Sequence, residues 1–172
     1  MFKENIPNSI YVIIEIPYYN NNIKYEIKNN KIYVDRFIKT PLFFPFNYGY
    51  INNTLSLDGD KLDVIIPINY KLQIGSIILC KPVALILMED ENGEDNKIIA
   101  FPNNEITDEY NNINDLNDIP HYIINKIDFF LKNYKNLELN KFTIIKNYKN
   151  SNFAKEEILK SIYRFKNKNK IK

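Results

Sequence analysis

Short β-branched segments dominate the first hundred residues, and this pattern limits the possible folds more than any other feature of the chain. Turn residues separate the segments, and Asn29-Asn30 lies between the second and third of them, as in a hairpin. A series of five or more short strands is typical of a small closed β-barrel. The predicted strands span residues 10–16, 23–28, 32–37, 64–68, 76–88 and 97–101.

The later part of the chain changes to a helical period. Asp118-Ile119-Pro120 predicts an N-cap with proline in the first turn of a helix over residues 121–134. A second helix is predicted from residue 152 or 153 to about 165, and we expect the tail over 166–172 to fray. The sequence therefore predicts a mostly β protein with flanking helices (α+β), in which two main helices pack outside a closed barrel. No internal repeat or linker divides the chain, so we expect one domain over residues 1–172.

Charge and composition narrow the possible functions. The chain has 23 basic and 21 acidic residues and a net charge of +2, which does not indicate a nucleic-acid-binding protein. Its one cysteine, Cys80, lies in an apolar run, and we expect it to be buried in a protein of a reducing compartment. The one histidine, His121, has no partner for a zinc site. Without a long apolar segment or a signal peptide, we expect a cytoplasmic protein that does not bind membranes.

An acidic heptad, Asp58-Gly59-Asp60-Lys61-Leu62-Asp63-Val64, carries the strongest chemical signal. Like charges packed this densely repel one another unless a cation lies between them, and short carboxylates are suitable ligands for Mg²⁺. The alternative is an ordinary hairpin turn with solvated acids. An EF-hand does not fit, because counting from Asp58 the sixth position holds Asp63 and the twelfth holds Asn69.

A second acidic turn follows at Asp90, Glu91, Glu94 and Asp95. Lys97 lies two residues beyond Asp95 and therefore on the same side of a strand. A carboxylate for a metal beside an ammonium for a phosphate would be a useful pairing. A surface hairpin with an exposed ion pair explains the same residues.

Further charged and aromatic residues could complete a site. Glu15 stands in a run of large aliphatic residues, which predicts a polar barrel interior or mouth. Cross-strand ion pairing is the alternative explanation for the charges of the predicted hairpin. Together these groups suit a small, highly charged phosphate held among several Mg²⁺ ions, and they favour metal-assisted phosphoryl transfer to water. The remaining candidates are Lys24, Glu26, Arg36, Tyr48, Tyr134 and Lys135.

These motifs give the chain a strong resemblance to the soluble family I inorganic pyrophosphatases. The family pattern Asp-x-Asp-x-x-Asp followed by an aliphatic residue matches residues 58–64. The similarity extends in order from about Ile10 into the last helix, almost the whole chain. The matching segments are 14–17, 23–26, 34–37, 47–51, 55–57, 93–95 and 134–135.

The resemblance implies a five-stranded OB-like barrel that hydrolyses pyrophosphate to two phosphates with several Mg²⁺ ions. Asp58, Asp63 and Asp95 would bind the tightest metal, and Asp60 would act as general base on the attacking water. Asp90 and Asp95 would hold a metal that arrives with the substrate, and Glu26 would reach a further ion. The substrate-binding residues would be Lys24, Arg36, Lys97, Tyr134 and Lys135, and the supporting residues Glu15, Tyr48 and Glu91.

Some positions depart from the family pattern. Phe44 stands where many members have tyrosine, so one hydroxyl near the site is missing, and Lys61 adds a positive charge beside the acidic cluster. Neither change removes an implied metal ligand, and we expect an active enzyme. The resemblance also implies a homo-oligomer, with a hexamer favoured over a dimer.

Two other functions remain compatible with the residues alone. A non-catalytic OB-like module could bind single-stranded nucleic acid through aromatic rings and lysines, although the many carboxylates would repel such a ligand. A catalytically silent metal or phosphate sensor could retain the fold. Only an activity assay separates the sensor from the enzyme.

Overall fold

The structure is a computed structural model that describes residues 5–20, 22–29 and 31–168. Within these ranges the chain forms nine strands and two α-helices. The strands are β1 (Ile10–Ile16), β2 (Ile23–Lys28), β3 (Lys31–Phe37), β4 (Asn47–Ile51), β5 (Asp63–Ile66), β6 (Ile77–Asp90), β7 (Gly93–Glu94), β8 (Lys97–Pro102) and β9 (Thr143–Lys149); the helices are α1 (His121–Asn133) and α2 (Ser151–Lys168).

Five of the strands close into a ring. β1 pairs with β4, β4 with β5, β5 with β8 and β8 with β6, and β6 returns to pair with β1. The long strand β6 closes the ring because it pairs with both β8 and β1, and it also pairs with β7 and β9 outside the ring. The ring confirms the predicted mostly β fold with an OB-like five-stranded arrangement, and the β2–β3 hairpin forms a separate two-stranded sheet.

Aliphatic side chains fill the ring. Ile10, Val12 and Ile14 alternate inward from β1, and Ile98 and Ile99 of β8 are also fully buried. Gly49 allows β4 to approach β1, because a Cβ atom at this position would collide with the backbone carbonyl of Ile13. The buried thiol of Cys80 belongs to the same core, as predicted, and burial raises its pKa.

Strands β4 and β9 were not among the predicted strands. Asn47 and Gly49 are turn-forming residue types, yet here they lie inside β4, where a close packing contact requires the glycine. β9 pairs along β6 and is partly exposed, so its apolar pattern is weak. Tertiary pairing therefore decides the structure of both segments.

The helices begin and end close to the predicted positions. Pro120 is the N-cap of α1, without a side-chain cap bond, so the proline precedes the first turn instead of lying within it. Asp118 ends a 3₁₀ turn over Leu116–Asp118, where its carboxylate accepts from the backbone N–H groups of Asn114 and Asp115. α2 continues to Lys168, so fraying does not begin at residue 166, and 169–172 lie outside the described residues. No helix within the described ranges has both the length and the apolar character needed to cross a bilayer.

Candidate active site

The acidic heptad forms a tight turn ahead of β5. Two backbone bonds hold the turn, from Ser56 N to Asp60 O at 2.7 Å and from Gly59 N to Ser56 O at 3.2 Å. Gly59 has a φ of 95°, a conformation that suits glycine. Asp58 Oδ1 accepts from Asp60 N at 3.0 Å. The turn thus holds the Asp58 carboxylate against its own backbone and leaves Asp60 exposed.

Asp63 meets the second acidic turn through Lys97. The parallel pairing of β5 and β8 sets Asp63 and Lys97 side by side. Lys97 Nζ donates to Asp63 Oδ2 at 2.9 Å and to Asp95 Oδ1 at 2.7 Å. The Tyr48 hydroxyl also donates to Asp63 Oδ2. Lys97 is only 2% exposed, so this ammonium is held by carboxylates inside the protein.

Negative charge in this cluster exceeds what Lys97 neutralises. Burial raises the pKa of Asp95 to about 6, against the opposing effect of Lys97 and with a further contribution from Asp63. Burial, reinforced by Asp63, raises the pKa of Tyr48 well above its ordinary value. Burial opposes the charge of Lys97, but Asp63, Tyr48 and Asp95 outweigh it and raise the pKa of the ammonium. The cluster would therefore be stabilised by additional positive charge.

Lys135 holds the other end of the second acidic turn. Its Nζ donates to Asp90 Oδ2 at 2.8 Å and to Glu91 Oε2 at 3.0 Å. Burial tends to raise the pKa of Asp90 and Glu91, but the hydrogen bonds and charge of Lys135 help to lower both pKa values. The carboxylates of the second acidic turn therefore have different partners: Asp95 accepts a hydrogen bond from Lys97, and Asp90 accepts one from Lys135.

The β2–β3 hairpin contributes two cations. Lys24 and Arg36 are register partners on the two strands. Arg36 pairs with the adjacent Asp35 at 2.9 Å, and Glu26 pairs with Lys28 at 2.8 Å, so these ion pairs lie within single strands. The predicted alternative of cross-strand ion pairing does not describe the observed pairs. Like charges placed opposite one another are unfavourable, and a bound anion would relieve them.

The hairpin and the acidic turn enclose a cavity of about 290 Å³. Its walls carry both signs of charge, and they bring together six predicted site residues. A smaller cavity of about 40 Å³ beside it is lined by Lys24, Arg36, Tyr48, Lys97 and Tyr134, together with Phe44. The larger cavity is lined by Glu15, Lys24, Glu26, Asp35, Arg36, Tyr50, Asp60, Lys61 and Asp63.

Glu15 is the most perturbed carboxyl of the larger cavity. Burial raises its pKa from the ordinary 4.5 to about 7; Lys24 and Lys61 lower it, and Asp63 raises it. Of the two predicted surroundings of Glu15, a polar barrel interior or a polar mouth, its place in the cavity wall agrees with the mouth, since aliphatic side chains fill the ring.

The donor chemistry fits a divalent cation. Among the described residues, no three acidic, histidine or cysteine side chains already surround one point, and Lys97 and Lys135 pair with several of the carboxylates. Burial raises the pKa of Asp58, and the neighbouring Asp63 and Asp60 add to this effect. Oxygen donors that repel one another in this way are suited to Mg²⁺ or a similar hard cation.

Three residues of the cavity wall were not predicted as site residues. They are Asp35, Tyr50 and Lys61. Lys61 Nζ lies 3.7 Å from the centroid of the Tyr50 ring, a cation–π contact. The available signals were the proximity of Asp35 to Arg36 and the position of Lys61 inside the acidic heptad. The Tyr50 contact depends on the pairing of β4 with β5, which local sequence does not reveal.

Comparison with known proteins identifies similar chains. A family model described as inorganic pyrophosphatase matches residues 12–166. The inorganic pyrophosphatase of Buchnera aphidicola subsp. Acyrthosiphon pisum is 49% identical over 170 residues, which are 98% of this chain and 93% of that protein. The enzyme of Escherichia coli K12 is 47% identical over 167 residues, which are 96% and 95% of the two chains.

Solved structures of inorganic pyrophosphatases have a fold similar to that of this chain. A Coxiella burnetii inorganic pyrophosphatase superimposes with a TM-score of 0.91 at 35% identity, covering 96% of this chain and 99% of that one. The Helicobacter pylori enzyme gives a TM-score of 0.89 at 33% identity, covering 96% and 98%. The resemblance seen in the motifs is therefore confirmed by sequence and fold along nearly the whole chain. The chain belongs to the soluble family I inorganic pyrophosphatases, which are enzymes that use a divalent metal to hydrolyse pyrophosphate.

Proposed function

We propose that this enzyme hydrolyses pyrophosphate with Mg²⁺ as its metal and Asp60 as its general base. One observation carries the proposal: a single cavity has Asp60 and Asp63 in the acidic turn and Lys24 and Arg36 in the hairpin. Carboxylates can hold cations there, while the basic residues hold phosphate oxygens. A substrate with several negative charges and its metals would neutralise both groups.

The carboxylates divide into proposed metal ligands with distinct partners. Asp58, Asp63 and Asp95 would bind the activating ion. Asp90, with Asp95, would bind an ion that accompanies the substrate, and Glu26 would bind a further one. When bound, a divalent cation lowers the pKa of a coordinated water and offsets negative charge on phosphate. Lys97 and Lys135 donate hydrogen bonds to these carboxylates, which supports a role for both ammonium groups in binding phosphate alongside the ions.

Asp60 would accept the proton of the attacking water. It is exposed at the tip of the turn, and its side chain faces the same cavity as Lys24 and Arg36. As the water oxygen bonds to one phosphorus atom, the bond from that phosphorus to the bridging oxygen breaks. The proton passes to Asp60, and the second phosphate leaves with the bridging oxygen.

The remaining residues would hold the substrate or orient the groups that act on it. Lys24, Arg36, Lys97, Tyr134 and Lys135 would bind the phosphate oxygens. Tyr48 would orient Asp63 through its hydroxyl, and Glu91 would orient Lys135. Glu15 would support the cavity wall between the hairpin and the acidic turn.

We further propose that the chain works as one domain over residues 1–172, in the cytoplasm, as a homo-oligomer, with a hexamer favoured over a dimer. Nearly full-length similarity to bacterial enzymes supports this proposal. The balanced charge argues against a nucleic-acid partner. Sedimentation analysis of the purified protein tests the oligomeric state.

Phosphate release after chelation tests the metal requirement. Wild type, Asp63→Asn and a control variant, Asp108→Asn, are stripped with EDTA and assayed with pyrophosphate as Mg²⁺ is restored. Asp108 is exposed and outside both cavities. We expect no release before restoration, full recovery for wild type and Asp108→Asn, and a much higher Mg²⁺ requirement for Asp63→Asn. Release by folded, stripped wild type, or none after restoration, would contradict the proposal.

A further inference from the structure

We infer that Lys61 is a further substrate-positioning residue, whose ammonium attracts the pyrophosphate anion into the cavity and weakens the binding of divalent cations before the substrate arrives. This inference rests on the proposed function. It concerns a residue that departs from the family pattern, so it describes a property of this chain.

The Lys61 side chain makes a cation–π contact with Tyr50. Its Nζ lies 3.7 Å from the centroid of the Tyr50 ring, and Tyr50 is only 4% exposed. Tyr50 is in turn the register partner of Asp63 on β5. A buried ring on a paired strand is a rigid support, so the contact favours side-chain conformations that keep the ammonium beside the acidic turn.

Lys61 gives the cavity cations on two of its sides. Lys24 and Arg36 belong to the β2–β3 hairpin, whereas Lys61 belongs to the acidic turn, and all three line the cavity. Lys24 and Lys61 each act on the carboxyl of Glu15, which places both ammonium groups within electrostatic reach of the same wall. An anion with a phosphate at either end would be attracted from both sides.

The positive charge of Lys61 attracts an anion but repels a metal cation. Lys61 lies next to Asp60 and two residues before Asp63 in the chain, so it repels a divalent ion that approaches these carboxylates. The inference therefore predicts two linked effects of removing the charge. Binding of a pyrophosphate-like anion becomes weaker, and binding of a metal in the absence of the anion becomes tighter. A loss of structure alone would weaken both.

Calorimetric titration separates the two effects. Wild type, Lys61→Met, Lys61→Arg and Lys71→Met are titrated with methylene bisphosphonate, a non-hydrolysable pyrophosphate analogue, at fixed Mg²⁺, and separately with Mn²⁺ alone. Lys71 is exposed and outside the cavity. We expect Lys61→Met to bind the analogue about 3- to 10-fold more weakly and Mn²⁺ about 2- to 5-fold more tightly, since one charge is removed at partly screened distances. Lys61→Arg keeps the charge and the ring contact and should resemble wild type.

Added salt supplies a second readout. The difference between wild type and Lys61→Met should shrink as ionic strength rises, because screening weakens the contribution of an exposed charge. Analogue binding by Lys61→Met equal to that of Lys71→Met, while wild type binds the analogue and hydrolyses pyrophosphate, would overturn the inference and leave the proposed function intact. Weaker binding of both analogue and Mn²⁺ would also overturn it. Failure of wild type to bind the analogue would instead contradict the proposed function.

Discussion

Lys24 and Arg36 face one another across the β2–β3 hairpin as register partners, although both carry positive charge. A second like-charged pair, Lys28 and Lys31, stands at the turn of the same hairpin, where Glu26 contacts Lys28 at 2.8 Å. Only the first pair lines the cavity. Asp35 lies 2.9 Å from Arg36 and offsets part of this repulsion, and an anionic substrate in the cavity would offset the rest.

Removal of the Lys24 charge should weaken substrate binding and leave the stability of the protein almost unchanged. For Lys24→Met we expect a rise in KM for pyrophosphate of about 10- to 100-fold, as one charge-assisted hydrogen bond is lost. The free energy of unfolding without ligand should stay within about 0.5 kcal/mol of wild type, since a repulsive pair is also removed. Steady-state kinetics and urea titration measure the two quantities. Lys31→Met is the control, and equal KM values for the two variants would contradict the assignment of Lys24.

Lys135 should matter for stability as well as for substrate binding. Lys135 and Asp90 have side chains that are each only 9% exposed, and Glu91 shares the same ammonium. Lys135→Met leaves two partly buried carboxylates without their cation, and we expect a loss of about 3 kcal/mol in the free energy of unfolding. Lys132 pairs with Asp128 at 2.7 Å but is 53% exposed, so Lys132→Met should cost less than about 1 kcal/mol. Urea denaturation compares the variants, and equal losses would refute the difference in burial as the cause.

The missing hydroxyl at position 44 can be restored. Phe44 is buried and lines the smaller cavity, and its ring lies 6.1 Å from that of Tyr48 and 6.5 Å from that of Tyr134. For Phe44→Tyr we expect kcat/KM to increase about two- to five-fold, equivalent to about 0.4–1 kcal/mol of transition-state stabilisation. Phe46→Tyr, in the neighbouring core, should bring lower stability and no gain. Unchanged turnover and metal dependence in Phe44→Tyr would show that the missing hydroxyl has no catalytic consequence.

Glu15 should make the metal-free protein less stable as pH rises. Its pKa is about 7 in the folded protein against an ordinary 4.5, so the folded state holds a proton that the unfolded state releases between these values. The free energy of unfolding therefore falls across this interval, by at most about 3 kcal/mol. In EDTA, Glu15→Gln should be more stable than wild type at pH 8 and lose this advantage below pH 4.5. Urea titrations across this range measure the effect, and a constant difference would contradict it.

Strands that depend on short-range residue patterns can be predicted from the sequence. β1 combines a β-branched run with a proline immediately after it, and its observed bounds, Ile10–Ile16, match the prediction. The predicted proximity of Lys97 and Asp95 is observed as a hydrogen bond, although Asp95 lies just before β8, which begins at Lys97. β4 is different, because Asn47 and Gly49 are residue types that predict a turn. The close approach of Gly49 to the backbone of Ile13 explains the glycine within this strand. The pairing of Asp63 with Lys97 depends on the parallel register of β5 and β8, which joins residues far apart in sequence.

The resemblance supplied candidate roles that spacing alone left open. The acidic heptad by itself allowed a solvated hairpin turn, and the structure still leaves Asp60 exposed at the tip of a tight turn. What distinguishes the turn is its position in the wall of a cavity shared with Lys24 and Arg36. That position arises from the closed ring and the hairpin together, so it could not be read from residues 58–64 in isolation.

The most direct test of the account is phosphate release from pyrophosphate by wild type and Asp60→Asn, with and without Mg²⁺. Asparagine preserves the size of the side chain and removes its ability to accept the water proton. We predict Mg²⁺-dependent release by wild type and a decrease in kcat of about 10²- to 10⁴-fold for Asp60→Asn, with the melting temperature maintained. Asp60→Asn that releases phosphate as fast as wild type would contradict the assignment of Asp60 as the general base.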